Sequence, residues 1–209
     1  RDKIKKPQRP VVAYEILPPR EKDGTLNSYA ETISSLLSQT HIDAINIPEV
    51  LDEAGRGDRP IANYKRGEPR EFGRLLQDIV GIEAIVNRVV VHDNYDTQMR
   101  WLEETNLVYE IENMIIVGGE SSNVEYPGPT VNQALEAISS SYNRDGRDIF
   151  CGGIAIPSRK EESKNLIKKS KNGSEFFTTQ VLYDSKNIIK MMNNYQTRCN
   201  ELNTFPRRI

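Results

Sequence analysis

A parallel α/β fold is predicted by three observations. Six short apolar runs are rich in β-branched and aromatic residues, stretches of helical spacing stand between them, and the runs are continuously apolar rather than alternating, as suits strands covered by helices. The first run, VVAYEIL, begins at Val11 and must stop at Pro18 and Pro19, because proline has no amide donor for a sheet ladder and restricts the residue before it. Glu15 therefore falls near the carboxyl end of its strand, the end at which parallel α/β folds bind ligands.

The remaining elements follow in order. Helical spacing over residues 29–37 leads to the strand DAINI, and a second helix over 71–80 leads to IVNRVVV. Trp101, in MRWLEE, anchors the next helix to the core. NMIIVGG is the fourth strand, followed by a helix over 131–138; IFCGGIAI is the fifth, followed by a helix over 161–171 that the polar stretch PSRKEESKN enters. FFTTQVLY is the sixth strand, a helix covers 188–195, and the terminal PRRI reads as the start of a seventh strand. Repeated βα units leave two topologies, an open doubly wound sheet or a closed (β/α)8 TIM barrel. A complete barrel needs about 250 residues, so as a barrel this chain lacks its last one or two βα units.

The 209 residues suffice for one substantial core, read as a single catalytic domain over 1–209 whose C-terminal part is missing. A net charge of −2 gives no basic field for nucleic acid. No apolar run approaches membrane-spanning length, and RDKIKKPQRP lacks the apolar centre of a signal peptide, so a cytoplasmic protein with no membrane partner is expected. The two cysteines and two histidines have no metal-type spacing, and no metal site is expected.

Polar residues at strand ends carry the functional expectation. Glu15, the GGES segment containing Gly119 and Glu120, and Gln180 in TTQVLYD each stand at or near the end of an apolar run. In a barrel they converge on one mouth, where two carboxylates and an amide can hydrogen-bond a polar heterocycle and a carboxyl group can serve as general acid. Alternatively they cap helices or bridge to an arginine. GGE is not a dinucleotide-binding fingerprint. Lys164, Lys168, Lys169 and Lys171 form either a site for a dianionic phosphate or a solvated helix face. His92 and Asp93, adjacent on a strand, point in opposite directions and do not form a catalytic pair.

Taken together, three motifs resemble one family, the methylenetetrahydrofolate reductases, in their flavin-binding (β/α)8 domain. YEILPPR at Tyr14 is similar to the family's F-E-F-F-P-P opening, NMIIVGGE at Asn113 to its N-I-L-A-L-R-G-D segment, and GSEFFTTQVLYD at Gly173 to its G-A-x-x-x-I-T-Q-F-F-F-D strand. The matches keep their order over nearly the whole chain. The resemblance implies that Glu15 is the general acid of folate ring opening, that Gln180 contacts the folate, and that Glu120 lies beside flavin and pterin. It also implies FAD as cofactor, with Asn165 and Lys169 at positions binding the ribityl and phosphate region, Glu162 and Lys168 in the same set, and Tyr126 before a flavin-contacting residue. NAD(P)H is the implied electron donor, reduced flavin or ferredoxin partners being the alternatives.

This sequence departs from the family at several points. Arg88 stands where the family has a cofactor-binding histidine, INIPEV replaces S-V-T-Y-G, Gly118 replaces an arginine, Ile156 replaces a tyrosine, and the loop over 157–162 is shorter. Two functions are therefore carried forward: an FAD-dependent reductase converting 5,10-methylenetetrahydrofolate or a related methylene-pterin to the 5-methyl form, and a flavin-free pterin-binding or scaffold subunit acting with a methyltransferase. A barrel of unrelated metabolic function is the blandest reading. A homo-oligomer, or a partner subunit that supplies the missing strands, is compatible with either.

Overall fold

The computed structural model describes residues 1–51, 65–119, 124–142 and 149–209. Six parallel strands, β1 (Ala13–Glu15), β2 (Ala44–Ile47), β3 (Ala84–Val89), β4 (Asn113–Val117), β5 (Phe150–Ala155) and β6 (Phe176–Thr179), lie side by side in chain order. Sequential order decides between the two topologies left open by the sequence. A doubly wound sheet reverses its strand order at a switch point, and this sheet does not.

The sheet is curled. Ala13 and Glu15 of β1 line the same cavity as Phe176, Phe177 and Thr178 of β6, although five strand spacings would hold the two strands about 24 Å apart in a flat sheet. Beyond β6 the terminal residues begin another parallel pairing, with Phe177 N donating to Arg208 O at 2.8 Å. The expected seventh strand thus starts where PRRI was read.

Helices α2 (Leu26–Leu37), α3 (Pro69–Val80), α4 (Tyr95–Leu107), α5 (Val131–Ala137), α6 (Glu162–Lys171) and α7 (Ser185–Glu201) follow the strands. Their starts are set locally. Thr25, Glu68, Asn94 and Thr130 each accept a backbone N–H of the first turn through a side-chain oxygen, and Pro69 takes the first position of α3, where no amide is needed. Helix α7 runs well beyond the expected 188–195 because its buried face, Met191, Tyr195 and Cys199, continues the four-residue spacing. A four-residue helix, α1 (Asp2–Lys5), precedes β1 and is absent from the sequence expectations.

Strand parity sorts the core into two layers. Ile45, Ile47, Val86, Met114, Ile116 and Phe177 face outward into the helices, while Ala44, Ile85, Ile115, Phe150 and Phe176 fill the concave side together with Ile4 of α1. On that side Phe150 and Phe176 stack at 4.8 Å. Gly152 makes room for them, since a Cβ there would stand 2.5 Å from the Phe176 ring. Among the described residues no helix is long and apolar enough to cross a membrane.

Candidate functional site

Two cavities open on the carboxyl-end and concave sides of the sheet, β6 lining the concave one and the residue that follows it the other. The mouth cavity, about 650 Å3, is walled by Glu49 after β2, Val89 of β3, Val117 to Gly119 after β4, Ile154 and Ile156 around the end of β5, Arg159, then Asn165, Lys168 and Lys169 of α6, and Gln180 after β6. The inner cavity, about 630 Å3, is lined by Ala13, Glu15, Asn46, Ile85, Ile115, Phe176 and Thr178, with Arg208 at its open edge.

Five of the residues singled out by sequence therefore share one cavity: Gly119, Asn165, Lys168, Lys169 and Gln180. Glu162 is buried just behind them. Its Oε1 accepts from Ile156 N at 3.1 Å and its Oε2 from Asn165 Nδ2 at 2.9 Å, while Lys169 Nζ stands 3.7 Å away. The same ammonium donates to Ile154 O at 2.5 Å. Burial lowers the Lys169 ammonium from the ordinary lysine value, against the opposing pull of Glu162. Lys169 is thus held inside the α6 wall, whereas the exposed Lys168 has no ion-pair partner among the described residues.

Tyr126 packs its ring directly against the Gly119 backbone, so that only glycine fits at that position, and makes an edge contact with His92 at 5.5 Å between ring centroids. Asp93 turns the other way, to Arg88; both residues lie in the turn after β3 rather than on the strand expected from the sequence, so it is the turn, and not strand alternation, that separates them. Glu120 lies outside the described residues.

Arg88 is not in the mouth. It projects from the outer face of β3 into the layer beneath the helices, where Nη1 donates to Glu49 Oε1 at 2.5 Å, Nη2 to Asp93 Oδ2 at 2.6 Å and Nε to Gln98 Oε1 at 3.0 Å. Its guanidinium also stacks 4.6 Å from the Trp101 ring, which Arg70 covers at 4.5 Å. Arg88 reaches the mouth only through Glu49, whose second oxygen accepts from Val89 N at 2.8 Å. Burial pushes the Glu49 carboxyl above its ordinary value, partly offset by Arg88.

Glu15 is the last residue of β1, as the two prolines required, and points into the inner cavity. Its side chain is exposed rather than buried, and Asn46 Nδ2 donates to its Oε2 at 3.0 Å. That contact fixes the Asn46 amide, because reversing it would set two acceptor oxygens against each other. Oδ1 of Asn46 and Oδ1 of Asn87 are then buried acceptors without a hydrogen-bond partner among the described residues, which is costly for a buried polar atom. Glu49, Arg159 and Asn46 were missed in the sequence. Glu49 and Arg159 sit in loops without periodicity, and Asn46 looks like a single polar interruption of DAINI.

The charges of the mouth are divided between its walls. Glu49 stands on the β2 side, whereas Arg159, Lys168 and Lys169 stand on the α6 side, with Glu162 behind them offsetting part of their charge. A ligand with hydrogen-bond donors at one end and an anionic group at the other matches that division. For FAD, the residues present fit the phosphate end: Lys168, Arg159 and Asn165 offer a cation pair and an amide on one wall.

The chain is an α/β protein with a curled parallel sheet and a polar cavity at the carboxyl ends of its strands. No protein-family model matches the chain, and no curated protein does. Solved structures do match. An uncharacterized protein from Clostridium thermocellum that binds two copies of 5-methyl-5,6,7,8-tetrahydrofolic acid is similar with a TM-score of 0.75 at 19% identity, over 100% of this chain and 67% of that one. A 2,3-dimethylmalate lyase of the PEP mutase/isocitrate lyase superfamily is similar at 0.60 and 12% identity, over 92% of this chain and 66% of that one. A phosphonopyruvate hydrolase solved with oxalate and Mg2+ is similar at 0.58 and 11% identity, over 90% and 64%. The chain spans about two-thirds of the length of each. At these identities the likeness establishes the fold.

Proposed function

We propose that this chain is the larger part of a (β/α)8 barrel that binds a reduced folate at its mouth. The observation that carries the reading is the divided charge of the mouth cavity, a carboxylate on one wall facing cations on the other. A folate has that polarity, with a donor-rich pterin at one end and a glutamate carboxylate tail at the other. The structural neighbour that binds 5-methyltetrahydrofolate supports the same ligand class.

The activity we assign to this site is FAD-dependent reduction of 5,10-methylenetetrahydrofolate, or a related methylene-pterin, to the 5-methyl form. Asn165 would meet the cofactor's ribityl and phosphate region, Lys168 and Arg159 being taken by the folate's carboxylate tail, and bound flavin would supply hydride chemistry. Glu15 would hold the proton for the folate nitrogen from the inner cavity, positioned by the amide of Asn46, and Gln180 would hydrogen-bond the substrate from the mouth. NAD(P)H is the proposed electron donor. The second reading is a flavin-free folate-binding subunit beside a methyltransferase. It is favoured by Lys169, whose ammonium is already engaged by Ile154 O and Glu162.

Calorimetric titration with 5-methyltetrahydrofolate tests the folate reading, and the visible absorption spectrum before and after addition of FAD separates the two activities. Stoichiometric folate binding with an oxidised-flavin spectrum is the expected result. Folate binding without flavin leaves the second reading, and no folate binding overturns both.

A further inference from the structure

We propose that Glu49 is the specificity-determining residue of the mouth, accepting two adjacent N–H donors from a 2-amino-4-oxo-pyrimidine ring while the anionic end of the same ligand lies against Lys168 and Arg159. The proposal rests on the folate reading and deepens it by naming the ring edge that is read.

The argument is one of hydrogen-bond capacity. A carboxylate has about four acceptor positions and no donor. Glu49 has filled one position on each oxygen, Oε1 from Arg88 and Oε2 from Val89 N, and its side chain, 11% exposed, borders the mouth cavity. It is held rigidly. Arg88 is itself fixed by Asp93, Gln98 and the face of Trp101, and the Val89 amide belongs to a strand, so rotation of the carboxylate would break both bonds. The remaining lone pairs form a preorganised fork for two parallel N–H groups, the geometry by which carboxylates recognise planar donor pairs.

That fork discriminates between ring types. A 2-amino-4-oxo-pyrimidine presents an amino N–H beside a ring N–H, two donors in line. A 2,4-dioxo-pyrimidine, the pattern of a flavin's terminal ring, presents one N–H between two carbonyls, and each carbonyl would oppose a carboxylate oxygen. A site built to accept hydrogen bonds rejects a ring that cannot donate them, because its polar atoms are left unpaired. Glu49 therefore directs the pterin, and not the flavin ring edge, to the β2 wall.

The test compares binding of 6-methyltetrahydropterin and its 2,4-dioxo counterpart to the wild type and to Glu49→Gln, with 5-methyltetrahydrofolate and p-aminobenzoylglutamate as further probes. The wild type is expected to bind the 2-amino ring at least tenfold more tightly than the dioxo ring. Glu49→Gln, whose amide donates as well as accepts, is expected to bring the two within about twofold while leaving p-aminobenzoylglutamate affinity unchanged. A structural role alone would weaken both rings equally and keep the ratio. If the wild type binds 5-methyltetrahydrofolate but the ratio survives in Glu49→Gln, the inference falls and the folate reading stands. If the Glu49-dependent preference holds for the free rings but 5-methyltetrahydrofolate does not bind, the folate reading falls and the inference stands. Binding of neither ring overturns both. Should Glu49→Gln fail to fold, Glu49→Asp retracts the fork by one methylene with its charge kept and must also erode the preference; a wild type without preference refutes the proposal by itself.

Discussion

The Arg88 guanidinium and the Glu49 carboxylate meet at 2.5 Å across the end of the sheet, one from the layer beneath the helices and the other from the wall of the mouth cavity, with side chains 8% and 11% exposed. This pair couples the rigidity of the core to the site. Removing one partner leaves an uncompensated buried charge, whereas removing both leaves none. Arg88→Met is therefore expected to cost about 3 to 5 kcal/mol in urea unfolding, and adding Glu49→Met to it should recover most of the loss. A double variant no more stable than Arg88→Met would show that the cost lies in the Trp101 stacking instead.

Gly152→Ala tests the packing of the concave side. The added Cβ meets the Phe176 ring, itself stacked on Phe150 and unable to retreat without leaving the layer. Overpacking of this kind costs about 1 to 3 kcal/mol, so a lower thermal midpoint is expected, with substitution at the solvent-exposed Gln196 as the neutral control. An unchanged midpoint would mean that the ring has room to move.

Acid stability should depend on Asp43. Its carboxyl, just before β2, accepts from Lys3 Nζ at 2.9 Å, from Val12 N at 3.0 Å and from both terminal nitrogens of Arg9, which together hold it at about 2 against an ordinary 3.8. A folded-state value below the unfolded one contributes stability that is present above about pH 4 and is lost as pH falls through about 2. Between those values the segment before β1 is expected to detach, seen as loss of amide protection at Val12. Asp43→Asn should flatten that pH dependence; a slope of the same steepness would place the acid-labile group elsewhere.

Much of this architecture was legible in the chain because strand runs and helical spacing are local. The β-branched run IVNRVVV and the Pro18–Pro19 stop required no tertiary information, and Glu15 fell at a strand end as that stop demanded. Of the candidate mouth, the sequence marked only lining residues carried by a strand end or the α6 face, as at Gln180 and Lys168. Arg88 shows the limit. Alternation along β3 puts it on the opposite face from Asn87, and only the curl of the sheet decides which face is concave. Glu49 became visible as a site residue only when the outward-facing arginine was found to hold it, a contact spanning 39 positions of sequence.

Glu15→Gln is the decisive variant for the proposed chemistry. The substitution preserves size and leaves an oxygen to accept from Asn46 Nδ2, so the inner cavity should keep its shape and folate binding should change little. What is removed is the transferable proton. A positioned general acid contributes about 10²- to 10⁴-fold, so methylene-folate reduction is expected to fall by at least about a hundredfold. Reduction of bound flavin by NAD(P)H, which needs no proton at the folate nitrogen, should continue at nearly the wild-type rate. Stopped-flow measurement of the two half-reactions separates these outcomes. Equal failure of both would assign Glu15 to cofactor placement, and survival of both would transfer the proton donor to another residue.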